Sequence, residues 1–315
     1  MSQVTLDAEG NEISYDAVRP RRVTLTLAQV DHLAALAALP SPARQMLESG
    51  SEPSSLATRL GGELPDVEPA EPGDDDLDGS LRELGLVDDD GPVSEIRAAL
   101  QVWHSAALAT EVDLLLSLRI GQVRVRAWHR NLEDWVVALS TADRQHFELL
   151  WLPAEDWWRE LTRVGVVEPA RLAPAERDQV SLPEVIETPW ELLLATGEAI
   201  DAGRHDLLDQ LVQDYSGLTT TGSTTDDLEP ASDADVRAWH ETLERASRGR
   251  LHAAIIGRSE RGRPGVGVVE WVLFHDGWRS LTPVRREGWN IVRIERREAT
   301  ELSRQLALRA AAVTS

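Results

Sequence analysis

The sequence contains no cysteine and no lysine, and only two phenylalanines, two tyrosines and two methionines in 315 residues. Without cysteine there are no disulfides, no thiolate nucleophile and no sulfur-ligated metal. Without lysine, all 32 basic residues are arginine, which together with abundant Ala, Leu, Asp and Gly reads as the product of a GC-rich genome. Long apolar runs are missing as well: the stretch 112–118 is broken within eight residues by Ser or Arg. The first residues, MSQVTLDAEGNE, have neither a basic start nor an apolar core segment. These absences predict a soluble, cytoplasmic protein with no direct membrane insertion. A basic excess is also lacking. The formal net charge is −22, which argues against a nucleic-acid partner, because phosphate backbones are bound through a basic footprint.

What is present is enough apolar material for a large core, 42% of residues, and a strongly uneven charge. Residues 63–90 hold twelve acids against Arg82 alone, half of the whole net charge. The Pro and Gly residues in its first part make 61–80 read as a solvated acidic linker. Residues 1–22 form a polar leader. The stretch RVTLTLAQVDHLAALAALP then predicts a short strand and a helix starting near Thr26. From Pro92 the pattern runs helix, strand, turn at Gly121, strand, strand, strand (HFELLWLP) and helix (AEDWWRELTRVG). From residue 233 the same order recurs: helix, strand, Gly-rich turn, three strands, helix. EIRAAL aligns with DVRAWH, and Trp135 with Trp278, at offsets of 140 to 143 residues. The expectation is an α/β protein of the α+β type: a central antiparallel sheet flanked by helices, in two quasi-two-fold related helix/four-strand/helix halves, 23–165 and 233–315. Residues 166–232 would join them through two helices broken near Gly203 and a flexible Ser/Thr/Gly link.

Catalytic patterns are scarce. None of the eight histidines has a His partner at metal-binding spacing on a helix, and each reads as a surface or half-buried group. DDDLDG (74–79) matches the start of a calcium loop, but the position that should close it with a bidentate Glu is Gly85. GRPGVG (262–267) leads into a strand, not a phosphate-binding helix, and reads as a hairpin turn. No Gly-x-Ser-x-Gly elbow occurs. The sequence therefore predicts a non-enzyme with no catalytic, cofactor or metal residues. Eleven tryptophans serve as core aromatics or as partner hot spots. Trp190 stands outside the repeated units and opens a helix on which Leu193, Leu194 and Ile200 make a candidate docking face.

The stretches LTLAQVDHLAALAALP, LRELGL, VDLLLSLRIGQVRVRAW, RGRLHAAIIGRSERGR and GWRSLTP, in that order and ending in an amphipathic helix, resemble the EspG family of type VII (ESX) secretion-associated proteins of actinobacteria. The resemblance implies a cytosolic export chaperone or adaptor. Its partner would be a helical secreted protein, PE/PPE-like or WXG-like, held soluble for secretion. It also implies contact through a loop between strands of the first half together with the C-terminal helical region. The loop is matched here by residues 129–134, which puts Arg130, Asn131, Leu132, Glu133 and Asp134 on the partner surface, and the candidate docking helix adds Trp190, Leu193 and Leu194. The alternative is an acidic immunity protein that neutralises a basic secreted toxin, which would show steep salt dependence.

Overall fold

A computed structural model describes residues 21–49, 77–174, 180–259, 263–286 and 288–315, together with the two-residue strands β1 (Thr5–Leu6) and β2 (Glu12–Ile13). Residues 61–76 of the expected acidic linker lie outside the described residues. Its last part is not a linker: residues 77–80 open helix α3 (Leu77–Glu83), whose Leu81 is fully buried. Asp78, a ligand position of the calcium-loop pattern, is bonded to His32 at 2.6 Å.

The first half opens with β3 (Arg21–Thr26), α1 (Leu27–Leu36) and α2 (Pro42–Ser49). Thr26 starts α1 by a reciprocal capping box: its hydroxyl accepts from Gln29 N, and the Gln29 amide oxygen accepts from Thr26 N. After α3 come the short pair β4 (Val87–Asp88) and β5 (Gly91–Pro92), then α4 (Ser94–Ser105), β6 (Leu108–Leu118), β7 (Gly121–Leu132), β8 (Trp135–Thr141), β9 (His146–Pro153) and α5 (Ala154–Gly165). The connecting region supplies β10 (Val185–Pro189), α6 (Trp190–Asp201), α7 (His205–Asp214), β11 (Thr220–Gly222) and β12 (Glu229–Pro230). The second half is α8 (Asp233–Arg245), β13 (Gly249–Arg258), β14 (Pro264–Phe274), β15 (Gly277–Arg286), β16 (Trp289–Arg297) and α9 (Glu301–Thr314). Helix, four-strand meander and helix thus occur twice in the same order.

All the long strands join one twelve-stranded antiparallel sheet in the order β12-β11-β10-β16-β15-β14-β13-β6-β7-β8-β9-β3. The two meanders meet at its centre, where β6 pairs with β13 from Leu108↔Gly257 to Leu116↔Gly249. Two readings are corrected here. The Ser/Thr-rich stretch expected as a flexible link carries β11 and β12, and β10 inserts between β11 and β16.

Alternation along the strands decides the layers, because successive side chains leave a sheet on opposite faces. On the first face, Trp128, Val137, Leu139, Leu149 and Trp151 pack with α1, α2, α3 and α4. On the same face at the far end, Val272, Phe274, Val292 and Ile294 pack under α6 and α8, and α7 closes a further cluster with them. On the second face, Ala127, Val136, Ala138, Leu150, Leu152, Leu251, Ala253, Ile255 and Trp271 pack under Trp157 and Leu161 of α5 and Leu302, Leu306, Ala310 and Val313 of α9. Trp135 and Trp278 fall on opposite faces, Trp135 with the first cluster and Trp278 with the last. The sequence alignment therefore pairs two tryptophans that face opposite sides of the sheet.

Glycine sets how closely α9 lies on the sheet. A Cβ on Gly257 would stand 2.9 Å from Val313, one on Gly265 3.1 Å from Val313, and one on Gly267 3.0 Å from Arg309. The motif read as a hairpin turn is therefore mostly strand: Gly265 and Gly267 belong to β14, and their bare faces receive the helix.

Candidate functional site

The residues singled out in the sequence fall in two places. Arg130, Asn131 and Leu132 are the end of β7, not a loop, and Glu133 and Asp134 alone form the turn into β8. Glu133 adopts φ +51°, uncommon outside glycine. Asn131 holds the turn by donating from Nδ2 to the carbonyls of Glu133 (3.2 Å) and Trp135 (3.1 Å). The Asp134 carbonyl accepts from Ala154 N and so fixes the start of α5. Leu132 is half-buried, and the Glu133 and Asp134 side chains are exposed.

Arg130 has a packing role. Its guanidinium lies 5.1 Å from the ring of Trp103 and 4.7 Å from that of Trp128, and it donates to Glu111 at 3.2 Å. The two indoles are themselves stacked, with centroids 6.2 Å apart. Burial lowers the Arg130 pKa, partly opposed by Glu111. A guanidinium between two indoles is well suited to such a site, since it is weakly hydrated and planar.

Trp190, Leu193 and Leu194 belong to a different place. Six strand steps separate β7 from β10, roughly 29 Å at about 4.8 Å per strand. The structure does not bring the turn and the α6 residues together into one site. Trp190 opens α6 immediately after β10, where Pro189 ends the strand. Together with Leu193 and Leu194 it lines a cleft of 260 Å³ between α6 and α8, whose floor is Val272, Phe274, Leu281 and Ile294 of the sheet. A second cleft of 460 Å³ adjoins it, lined by Glu270, Pro283, Val284, Arg285, Asn290, Ile291 and Val292, and sharing Trp190 and Leu281. Trp190 thus stands at the junction of both.

The first cleft is apolar with one charged corner. Glu244 reaches into it over Gly197, whose missing side chain leaves room: a Cβ there would stand 3.1 Å from the carboxylate. Burial and then the neighbouring Asp201 raise the Glu244 pKa, while Arg250 lowers it. Arg250 in turn is lowered by burial and held up by Glu270 and Glu244. Glu270 is lowered, first by its hydrogen bond with His252 at 3.1 Å. The charges of Glu244, Arg250 and Glu270 thus act on one another at this corner.

Two histidines read as surface or half-buried groups are in fact buried. His240 bonds Thr196 (2.7 Å) and Thr188 (3.3 Å), and His129 accepts from Trp157 Nε1 at 3.1 Å. Burial pushes both pKa values down to about 4, so both are neutral struts at neutral pH. Among the described residues there is no group of three or more His, Asp or Glu that could hold a metal, and no helix is long and apolar enough to cross a membrane.

Sequence reasoning missed Leu243, Glu244, Arg250, Val272, Phe274 and Ile294 as cleft residues. Each looks like an ordinary position of an amphipathic helix or buried strand; only the crossing of α6 and α8 over β14–β16 assembles them.

No family model matches this sequence, and no curated protein matches it. Among solved structures, it is similar to the Mycobacterium tuberculosis type VII secretion system chaperone EspG5, seen in complex with the PE25-PPE41 dimer, at a TM-score of 0.55 and 13% identity, over 94% of this chain and 97% of that one. The large antiparallel sheet with its flanking helices is therefore an EspG-like fold.

Proposed function

We propose that this protein is a cytoplasmic export chaperone or adaptor of the EspG kind, binding a helical secreted type VII substrate, PE/PPE-like or WXG-like, and keeping it soluble for export. The observation that supports this most is the shared fold along nearly the whole of both chains with a type VII secretion system chaperone bound to the PE25-PPE41 dimer. The physics of the chain agrees with it. Covering an apolar helical end needs a shaped apolar surface, and a formal charge of −22 keeps the resulting complex dispersed. We assign the docking surface to the junction of the two clefts, with Trp190, Leu193 and Leu194 as anchors. The β7–β8 turn, with Glu133 and Asp134 exposed, Asn131 and Leu132 half-buried beside it and Arg130 packed beneath, is a second contact for a partner long enough to span both. The repeated element order we read as an internal duplication with its quasi-two-fold axis at the β6–β13 join.

The test is co-expression of the tagged protein with the helical secreted proteins encoded beside its gene, followed by purification at about 0.1 M and about 1 M salt, where the screening length falls from about 10 Å to about 3 Å. A stoichiometric complex that persists at both is expected. A complex only with a basic protein, dissociating as salt rises, would replace this reading by toxin neutralisation.

A further inference from the structure

One side of β14 changes its neighbour halfway along. From Glu270↔Leu281 to Phe274↔Gly277 it pairs with β15. On its opposite side β14 pairs with β13 from Pro264 to Leu273, and among the described residues no strand pairs with Pro264–Val269 on the β15 side. β15 likewise continues to Arg286 paired with β16. The two strands part beyond Glu270 and Leu281, and both of these residues line the 460 Å³ cleft. Proline cannot donate to a ladder and is confined to sheet edges and bulges; Pro283 sits two residues past the last pair, where β15 becomes an edge.

The outer half of β14 has only Pro264, at its first position, to blunt its edge. Its sequence from 264 to 269 is PGVGVV, with no charge. Gly265 and Gly267 face α9, while Val266 (66% exposed) and Val268 (43%) stand on the first face, beside Ile256 (40%) of β13. Alternate exposed β-branched side chains beside open peptide groups make a template for another extended chain. The surroundings are basic, unlike the molecule as a whole: Arg258, Arg263, Arg285 and Arg309 are all exposed at this end.

We propose that the open edge of β14 binds an extended acidic peptide segment as an added strand. Its main chain would pair with residues 264–269, its apolar side chains would lie on the first face beside Val266 and Val268, its alternate carboxylates on the other face would meet Arg309 of α9, and acids at its ends would meet Arg258, Arg263 and Arg285. This goes beyond the chaperone reading and does not depend on it, since a helical partner would engage the α6 surface without adding a strand.

The probe is a fluorescein-labelled ten-residue peptide of alternating valine and glutamate, titrated with the full-length protein and followed by anisotropy. Two N-methylated versions block the main-chain donors of one strand edge each, and a third version replaces glutamate with lysine. Saturable binding is expected, weakened roughly tenfold or more by N-methylation of one edge and not the other, as loss of two or three hydrogen bonds requires. Binding should weaken similarly with the lysine peptide and with the Arg285→Glu/Arg309→Glu protein, whose folding is checked by circular dichroism. Equal binding by both N-methylated peptides would overturn strand addition, because only charge would then be recognised. No saturation up to about 1 mM protein would overturn the site itself. Should the double variant fail to fold, the pair of N-methylated peptides still decides.

Discussion

Arg130 shows how a single side chain can hold two layers together. It ties β7 to α4 through two indoles and to β6 through Glu111, so truncation removes cation–π contact and leaves a carboxylate without its partner. Arg130→Ala should destabilise the fold by about 1–3 kcal/mol, measured as a lower urea midpoint, and Arg130→Lys should recover only part of it because ammonium neither stacks nor forks. His240 works in the opposite charge state. Its pKa falls from 6.5 to about 4 on folding, so the unfolded chain takes up a proton first as pH drops. The stability it contributes is complete above about pH 6.5 and is lost as pH falls toward 4, up to about 3 kcal/mol at about 1.4 kcal/mol per unit. His129 acts in the same sense. Urea midpoints taken between pH 7 and 4 should fall less steeply in His240→Gln than in the parent; an unchanged slope would mean that the ring is not the group being charged.

Among the elements, those with local punctuation were legible. α5 begins after Pro153 and ends at Gly165, β9 spans the HFELLWLP run, and α1 starts at its capping Thr26. Elements defined by distant partners were not. β10 to β12 are two to five residues long, and their pairing with one another and with β16 has no local signature. The resemblance placed a contact loop at 129–134, where the chain continues as strand almost to a two-residue turn, because Asn131 satisfies the turn carbonyls that a longer loop would have to solvate. The candidate site was legible only as its α6 part: Trp190, Leu193 and Leu194 follow a helical stripe, whereas the opposing wall is α8, about 50 positions on, and the floor comes from strands about 80–100 positions away in the sequence. Trp190→Ala should weaken a helical partner by about 2 kcal/mol or more with the fold retained, read by calorimetry alongside circular dichroism. Leu132→Asp should have a smaller effect on the same complex; loss of folding in either would assign that residue to the core. Gly265→Ala presses on Val313 and should cost about 1–3 kcal/mol by lifting α9 from the sheet, again visible in urea unfolding.

For the whole molecule, the net charge is unevenly distributed along the sequence. Half of the net charge lies within residues 63–90, while the clefts at Trp190 have apolar floors. Partner affinity should therefore change little between about 0.1 M and about 1 M salt, while association slows only modestly; isothermal titration and stopped-flow fluorescence at the two salt concentrations measure each. The join of the halves is a β-ladder of nine residue pairs, Leu108↔Gly257 to Leu116↔Gly249, which makes the two meanders one continuous sheet instead of two domains free to move.

That ladder also sets a schedule for the nascent chain. The first meander, β6 to β9, is complete in sequence by residue 153, but the strand that covers β6 ends only at residue 258. At about 5–20 residues per second of synthesis, the ribosome takes on the order of ten seconds to supply it. Throughout that interval β6 is the outermost strand of the first meander, paired with β7 on one side, with Leu108, Val112, Leu114 and Leu116 on one of its faces and its other edge without the β13 that later covers it. A cell making this protein quickly has to protect that edge for seconds on every chain, and slower translation lengthens the exposure.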